Sequence, residues 1–162
     1  MSGWFIVNVA DATALRHERA GAYVRFEPPD DRFVDFGVNI HVLAPGEPNG
    51  KYHREEAQED FLVLSGQCIA IVDGEERRLR AWDFVHCPAG TDHIFVGAGD
   101  GPCAILMIGA RGPDRGVHYP VSELAAAYGA SVSTPTDVPA EAYADWPGKF
   151  TPVELDWPPG TP

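Results

Sequence analysis

Two histidines and a cluster of carboxylates are the residues of this chain best suited to chemistry. The stretch Tyr52-His-Arg-Glu-Glu-Ala-Gln-Glu-Asp-Phe-Leu-Val-Leu-Ser-Gly66 places His53 close to Glu55, Glu56, Glu59 and Asp60, just before an apolar run. In an extended chain side chains alternate with period two, so His53 and Glu55 share a face, and Glu59, Phe61 and Val63 share another. Further on, Pro88-Ala-Gly-Thr-Asp-His93 puts a second histidine after a tight turn. Two imidazoles and one carboxylate, from His53, His93 and Glu59, can hold one face of a divalent metal ion and leave its other positions open. That donor set suits Fe(II) in an oxygenase, Zn(II) with a bound water, Mn(II) or Ni(II). Spacing alone does not separate these histidines from ordinary surface ones.

The donors can meet only if strands bring them together, and the chain reads as strands. Between 51 and 110, short apolar runs (Phe61–Leu64, Cys68–Val72, Arg77–Ala81, Phe84–Cys87, Ile94–Val96 and Cys103–Ile108) alternate with breaks at Ser65-Gly66, Asp73-Gly74, Pro88-Ala-Gly90 and Gly97–Pro102. Such even spacing predicts an antiparallel sandwich or barrel, and Asp73-Gly74 predicts a tight hairpin. Asp35–Leu43 reads as a strand, followed by the loop Ala44-Pro-Gly-Glu-Pro-Asn-Gly50. Residues 1–33 form an N-terminal segment, with a helix expected over Ala12–Arg19 capped by Asp11 and a strand over Tyr23–Glu27. Residues 34–110 form the barrel. Residues 111–162 form an arm with a helix capped by Ser122 and closed by Gly129. Trp146, Phe150 and Trp157 anchor the arm to the barrel or to a partner subunit.

The spacing resembles that of the cupin family. Gly46 is followed by six residues, His53-x-Glu55, three residues, Glu59, six residues and Gly66. A second motif has Trp82 in place of glycine, then Pro88-x-Gly90, two residues and His93, with Gly97 where the family carries asparagine. The resemblance covers about residues 35–110. It implies an all-β fold, a double-stranded β-helix or jelly-roll-like antiparallel barrel with short peripheral helices. It also implies that His53, Glu59 and His93 are the ligands of one divalent ion (Fe, Mn, Zn or Ni), and that the chain forms a homodimer by pairing barrel edges. Glu55 stands where the family's first motif has its second histidine. It is either a fourth ligand or a base beside the metal. The metal segment also resembles that of 3-hydroxyanthranilate 3,4-dioxygenase, in which Glu55 would not be a ligand. That family's substrate-gripping arginines are replaced here by Asn49 and Gly97, so a shared site would not mean a shared substrate.

Other polar residues have plainer readings. His86 reads as an ordinary strand histidine. His41 either lines the pocket or is bonded to the backbone. Arg77, Arg78 and Arg80 read as surface ion pairs. Arg111, Arg115 and His118 could reach over the barrel mouth toward an anion, although a pairing with Asp114 is the simpler expectation. Phe61, Phe84 and Phe95 read as core residues lining the cavity.

The 162 residues suit one domain, with 44% hydrophobic and 22% charged residues. A net charge of −12 repels phosphate backbones and anionic lipid, so neither nucleic acid nor membrane is an expected partner. Cys68, Cys87 and Cys103 are too few and too scattered for a disulfide framework and read as buried thiols. No signal peptide or membrane span is apparent, and a cytoplasmic location is expected. The function expected is that of a mononuclear metal enzyme acting on a small molecule, with dioxygenase-type chemistry if the ion is iron and isomerisation or hydrolysis if it is zinc. The alternative is a non-enzymatic module that binds a small molecule or metal.

Overall fold

The computed structural model describes residues 3–28, 30–112, 116–155 and 157–158. In chain order the strands are β1 (Ala14–His17), β2 (Gly21–Arg25), β3 (Phe36–Leu43), β4 (Arg54–Glu55), β5 (Glu59–Ser65), β6 (Gln67–Val72), β7 (Glu75–Arg80), β8 (Phe84–Cys87), β9 (His93–Ala98), β10 (Cys103–Ala110), β11 (Val117–His118) and β12 (Thr151–Val153). Among the described residues the helices are short: α1 (Glu123–Ala126) and α2 (Pro139–Ala142). None is long and apolar enough to cross a membrane.

The strands form a seven-stranded sheet in the order β12-β1-β2-β3-β10-β5-β8, a three-stranded sheet β7-β6-β9 and a two-stranded ribbon β11-β4. The pairings are antiparallel. The two larger sheets face each other. Leu43, Phe61, Val63, Ile105 and Met107 of one sheet close on Cys68, Ala70 and Phe95 of the other in a single core. Alternation sends the intervening residues outward, where both outer faces are also covered. Ile40, Val42 and Ala104 lie under Val9, Phe26, Leu155 and Trp157 from the chain's two ends. On the other sheet, Ile69, Ile71, Ile94 and Val96 lie under Ala125 and Ala130 of the arm.

Asp73 and Gly74 both have positive φ, 46° and 76°, which is the primed turn that matches strand twist. Ser122 caps α1 through a bond from Ala125 N to its Oγ (3.2 Å). The N-terminal segment departs from expectation. Instead of a helix over Ala12–Arg19, a 3₁₀ turn spans Val9–Asp11, capped by Asn8 rather than Asp11, and Ala14–His17 is strand β1. Pairing on both sides, with β2 and β12, outweighs a helix propensity that is a weak prior in so short a segment. The following strand ends at Arg25 rather than Glu27.

Trp82, at the motif's glycine position, has φ +74° and is 75% exposed. A residue with a Cβ is disfavoured there by roughly 1–2 kcal/mol, and little packing offsets it. Trp82→Gly is therefore expected to stabilise the fold by about 0.5–1 kcal/mol after the extra unfolded-state entropy of glycine is subtracted. Denaturant unfolding would read this as a higher midpoint at unchanged slope. A loss of stability would mean that the exposed indole packs in a way the monomer does not show.

Arg111 does not reach over the barrel mouth; Asp114 and Arg115 lie outside the described residues. Its guanidinium grips Glu27 with both nitrogens, Nη2 to Oε2 at 2.7 Å, and Glu27 Oε1 also accepts from Phe33 N at 2.7 Å. The Arg111 hydrogen bond, helped by the Phe33 N–H, holds the Glu27 carboxyl below its usual range against the effect of burial. A depressed folded-state pKa stabilises above the unfolded value near 4.5, and this is lost as pH falls through the folded value. Glu27→Gln should therefore flatten the fall in melting temperature between about pH 5 and pH 3 relative to wild type. Parallel curves would contradict the assignment.

Candidate metal centre

His53 and His93 are held face to face by their own backbones. His53 N donates to His93 O (3.2 Å) and His93 N to His53 O (2.7 Å), which sets their ring centroids 4.8 Å apart. Each ring is then oriented by a carbonyl two residues back. His53 Nδ1 lies 2.8 Å from Lys51 O, and His93 Nδ1 lies 3.0 Å from Thr91 O. A carbonyl can only accept, so Nδ1 carries the hydrogen in both rings and both Nε2 atoms present lone pairs. Glu59 comes from the facing sheet, at the start of β5 between Gly109 and Cys87. Together His53, Glu59 and His93 bring one ligand atom each to within 4.8 Å of one another.

The pair His93 Nε2 and Glu59 Oε2 tests whether this group fits a metal. The two atoms are 3.1 Å apart, and Glu59 Oε2 is buried with no hydrogen-bond partner. Two lone-pair atoms at that separation repel unless a proton or a cation lies between them. Ligand atoms bound at about 2.0–2.2 Å to one ion sit about 3–3.5 Å apart, so this pair already has a coordination spacing and the third donor needs only a modest shift. Burial disfavours the His93 imidazolium, but the Glu59 carboxylate beside it outweighs this and raises the His93 pKa. Burial likewise opposes the Glu59 carboxylate, which His93 nonetheless keeps ionised below its usual range. His53 is pushed down to about 4, first by burial and then by the neighbouring His93, so it is a neutral ligand at pH 7. The residues fit a divalent ion.

Glu55 is not part of this group of ligand atoms. It lies on β4, opposite Val117, and its charge is felt at both His93 and Tyr119. Tyr119 is a neighbour that sequence reading missed. Its ring lies 5.7 Å from that of His53, and burial, with the nearby Tyr143, keeps it a neutral phenol by raising its pKa. Only its place in the short run Val117-His118-Tyr119 could have signalled it.

The remaining candidates separate clearly. His86 is exposed and paired with Asp60 at 2.6 Å, so it is an ordinary strand histidine. His118 pairs with Asp137. Phe61 and Phe95 are core, but Phe84 is 63% exposed and does not line the cavity, because β8 turns it to the outer face. Arg77 pairs with Glu75 on the exposed strand β7. The cysteines are buried free thiols, with Cys87 pushed up to about 12 chiefly by burial.

Residues 39–109 match the cupin domain family. This stretch of the barrel is a cupin domain. Solved structures similar to it include a sugar phosphate isomerase of the cupin superfamily from Silicibacter pomeroyi. That chain is 29% identical, the likeness covers 61% of this chain and 64% of the isomerase, and the TM-score is 0.54. The likeness therefore spans less than two thirds of that isomerase. The polyketide cyclase RemF from Streptomyces resistomycificus is 18% identical over 70% of this chain and 82% of its own, with a TM-score of 0.59. A protein described as a predicted oxalate decarboxylase from Thermotoga maritima is 15% identical over 65% of this chain and 98% of its own, with a TM-score of 0.56. The last two show the fold alone. No curated protein matches. These likenesses lend no support to the narrower resemblance to 3-hydroxyanthranilate 3,4-dioxygenase.

Physical reasons for the cupin's unusual positions are visible. A Cβ on Gly97 would come within 2.1 Å of Ala44 O, so nothing larger fits. Asn49 is tied down, its Oδ1 accepting from Phe95 N at 2.9 Å and its Nδ2 lying 3.6 Å from Met107 Sδ. Neither position can grip a carboxylate as an arginine would.

Proposed function

We propose that this cupin is a mononuclear divalent-metal enzyme acting on a small molecule inside the barrel. The observation that carries the reading is the convergence of two Nε2 lone pairs, fixed by carbonyls on the opposite ring nitrogens, with the unpartnered oxygen of Glu59. His53, Glu59 and His93 would hold the ion by one face. The bound ion would supply Lewis acidity or, if it is iron, activation of O₂. The chain's own residues do the rest. Phe61 and Phe95 line an apolar wall behind His93, with ring centroids 5.1 and 6.3 Å from it, and keep water away from that side. Tyr119, neutral and against His53, packs the opposite side, its hydroxyl held by Tyr143. Glu55, whose charge reaches His93 and Tyr119, is the group placed to take a proton from substrate.

The similar sugar phosphate isomerase makes non-redox chemistry as good a reading as oxygen chemistry. Metal content of untagged, anaerobically purified protein, followed by oxygen-uptake and isomerase screens of the metal-loaded form, tests the reading. Iron with oxygen uptake, or zinc or manganese with isomerisation, is the expected result. Protein that carries no metal and takes up none from added salts would overturn it. Bound metal without turnover would leave the cupin a binding module.

A further inference from the structure

On β3, two buried polar atoms have no hydrogen-bond partner among the described residues: Asn39 Oδ1 and His41 Nδ1. They lie two residues apart on β3, so they project from one face. Across β10 they meet Met107 and Ile105, both members of the barrel core, which identifies that face as the inner one. Strand β2 adds two more side chains at the same level. Tyr23 stands opposite His41, with ring centroids 5.5 Å apart, and Arg25 stands opposite Asn39. Arg25 is half-buried, and among the described residues no carboxylate pairs with it. An unpaired guanidinium beside an orphaned amide oxygen and an orphaned ring nitrogen is an arrangement that folding alone does not account for, because buried polar atoms are normally bonded.

The same inner face carries the metal cluster. Across β10, Met107 pairs with Phe61 and Gly109 with Glu59, and the Phe61 ring lies 5.1 Å from that of His93. Two strand spacings, about 10 Å, separate β3 from β5, and three, about 14 Å, separate β2 from it, a gap that the long Arg25 side chain and a molecule of a few carbons span together. Space adjoins this wall. A cavity of about 230 Å³ is lined by Asn49 and Phe150; Asn49 contacts Met107, and the Phe150 ring packs edge-on to Tyr23 at 5.1 Å. Burial holds His41 neutral, pushed down to about 4, so at pH 7 it offers one donor and one acceptor rather than a second positive charge.

We infer that Arg25, Asn39 and His41 form an oxyanion subsite that holds the far end of a small acid whose other end reaches the metal centre. Arg25 takes the carboxylate or phosphate, which its fork of donors matches. Asn39 Oδ1 accepts from a hydroxyl of the same molecule, and His41 completes the polar wall. This inference rests on the barrel being the substrate chamber of the proposed enzyme, and it adds the class of substrate: a small hydroxylated anion.

The test is calorimetric titration of EDTA-treated wild type with succinate, glycolate and inorganic phosphate, repeated with Arg25→Gln and Asn39→Ala. At least one anion should bind wild type, with affinity reduced tenfold or more in Arg25→Gln. Asn39→Ala should weaken glycolate more than succinate. Phosphate binding would point to phosphorylated substrates, and succinate or glycolate binding to carboxylic acids. Phenylglyoxal labelling of wild type, read by peptide mass, covers the case of a variant that fails to fold, because the bound anion should slow modification of Arg25. No anion binding, equal binding by Arg25→Gln, or labelling of Arg25 that no anion slows would overturn the subsite. The protein is metal-free throughout, so a failure here is separate from a failure of the metal reading, which metal content alone decides.

Discussion

Glu59→Gln is expected to remove metal binding while leaving the metal-free protein folded, at a modest cost in stability from the lost attraction between His93 and the carboxylate. The isosteric amide keeps the volume of Glu59 and can donate a hydrogen bond to His93 Nε2, which lies 3.1 Å from Glu59 Oε2, so a neutral hydrogen bond replaces most of the lost pairing. The charge that attracts a cation is gone, and affinity should fall more than hundredfold, beyond the loss seen when only a residue supporting a ligand is changed. Wild type at a metal concentration about a thousandfold above Kd gains about 4 kcal/mol from binding, a rise of several degrees in melting temperature, and the variant should gain none. His93→Ala should lose metal as well, but at a cost to the fold. His93 is 2% exposed between Phe61 and Phe95, and truncating a large side chain in such a place costs about 2–4 kcal/mol. Elemental mass spectrometry and thermal unfolding with and without metal read both variants. A Glu59→Gln protein that still carries a full equivalent of metal would sink the assignment.

The longer strands between 36 and 110 and the hairpin at Asp73-Gly74 were legible in alternation and turn residues, and the three converging donors through the resemblance to a family's motif spacing. What was not legible is long-range. Nothing in the stretch before residue 20 announces that β1 will be flanked by β2 and β12, the latter more than a hundred residues away, so a weak helical signal prevailed there. Phe84 was misplaced because period two gives two faces without saying which is inside. Arg111 was assigned a partner nearby in sequence, whereas its partner Glu27 is brought in by the sheet from 84 residues away. Tyr119, Arg25 and Asn39 carry no motif: only the fold brings Tyr119 against His53, and only strand register sets Arg25 opposite Asn39.

Lys51 is invisible for the same reason, and its replacement is expected to have a large effect on stability. A lysine in a loop reads as solvated, yet this one is fully buried. Its ammonium bonds Asp145 Oδ2 at 2.9 Å, Ser131 O at 3.2 Å and Gly129 O at 3.4 Å, and it lies 4.7 Å from the Trp146 ring centroid. All four partners belong to the arm, so one buried cation fastens the arm to the barrel. Lys51→Met keeps the volume but leaves two carbonyls and a carboxylate without their donor, and should cost about 3 kcal/mol. Asp145→Asn should cost only about 1 kcal/mol, because the Asp145 side chain is 64% exposed and an amide oxygen can still accept. The effect should reach the metal centre through the backbone. Lys51 O orients His53 through Nδ1, and Lys51 N donates to the arm's Tyr143 Oη at 3.0 Å. Loosening the arm should therefore free the His53 ring and weaken metal binding about 10–100-fold, the scale on which groups that orient a ligand act. Denaturant unfolding together with metal titration of Lys51→Met separates the two effects. Lost stability with unchanged metal affinity would make the arm a strap independent of the site, whereas a joint loss would make it part of the machinery that holds His53 in place.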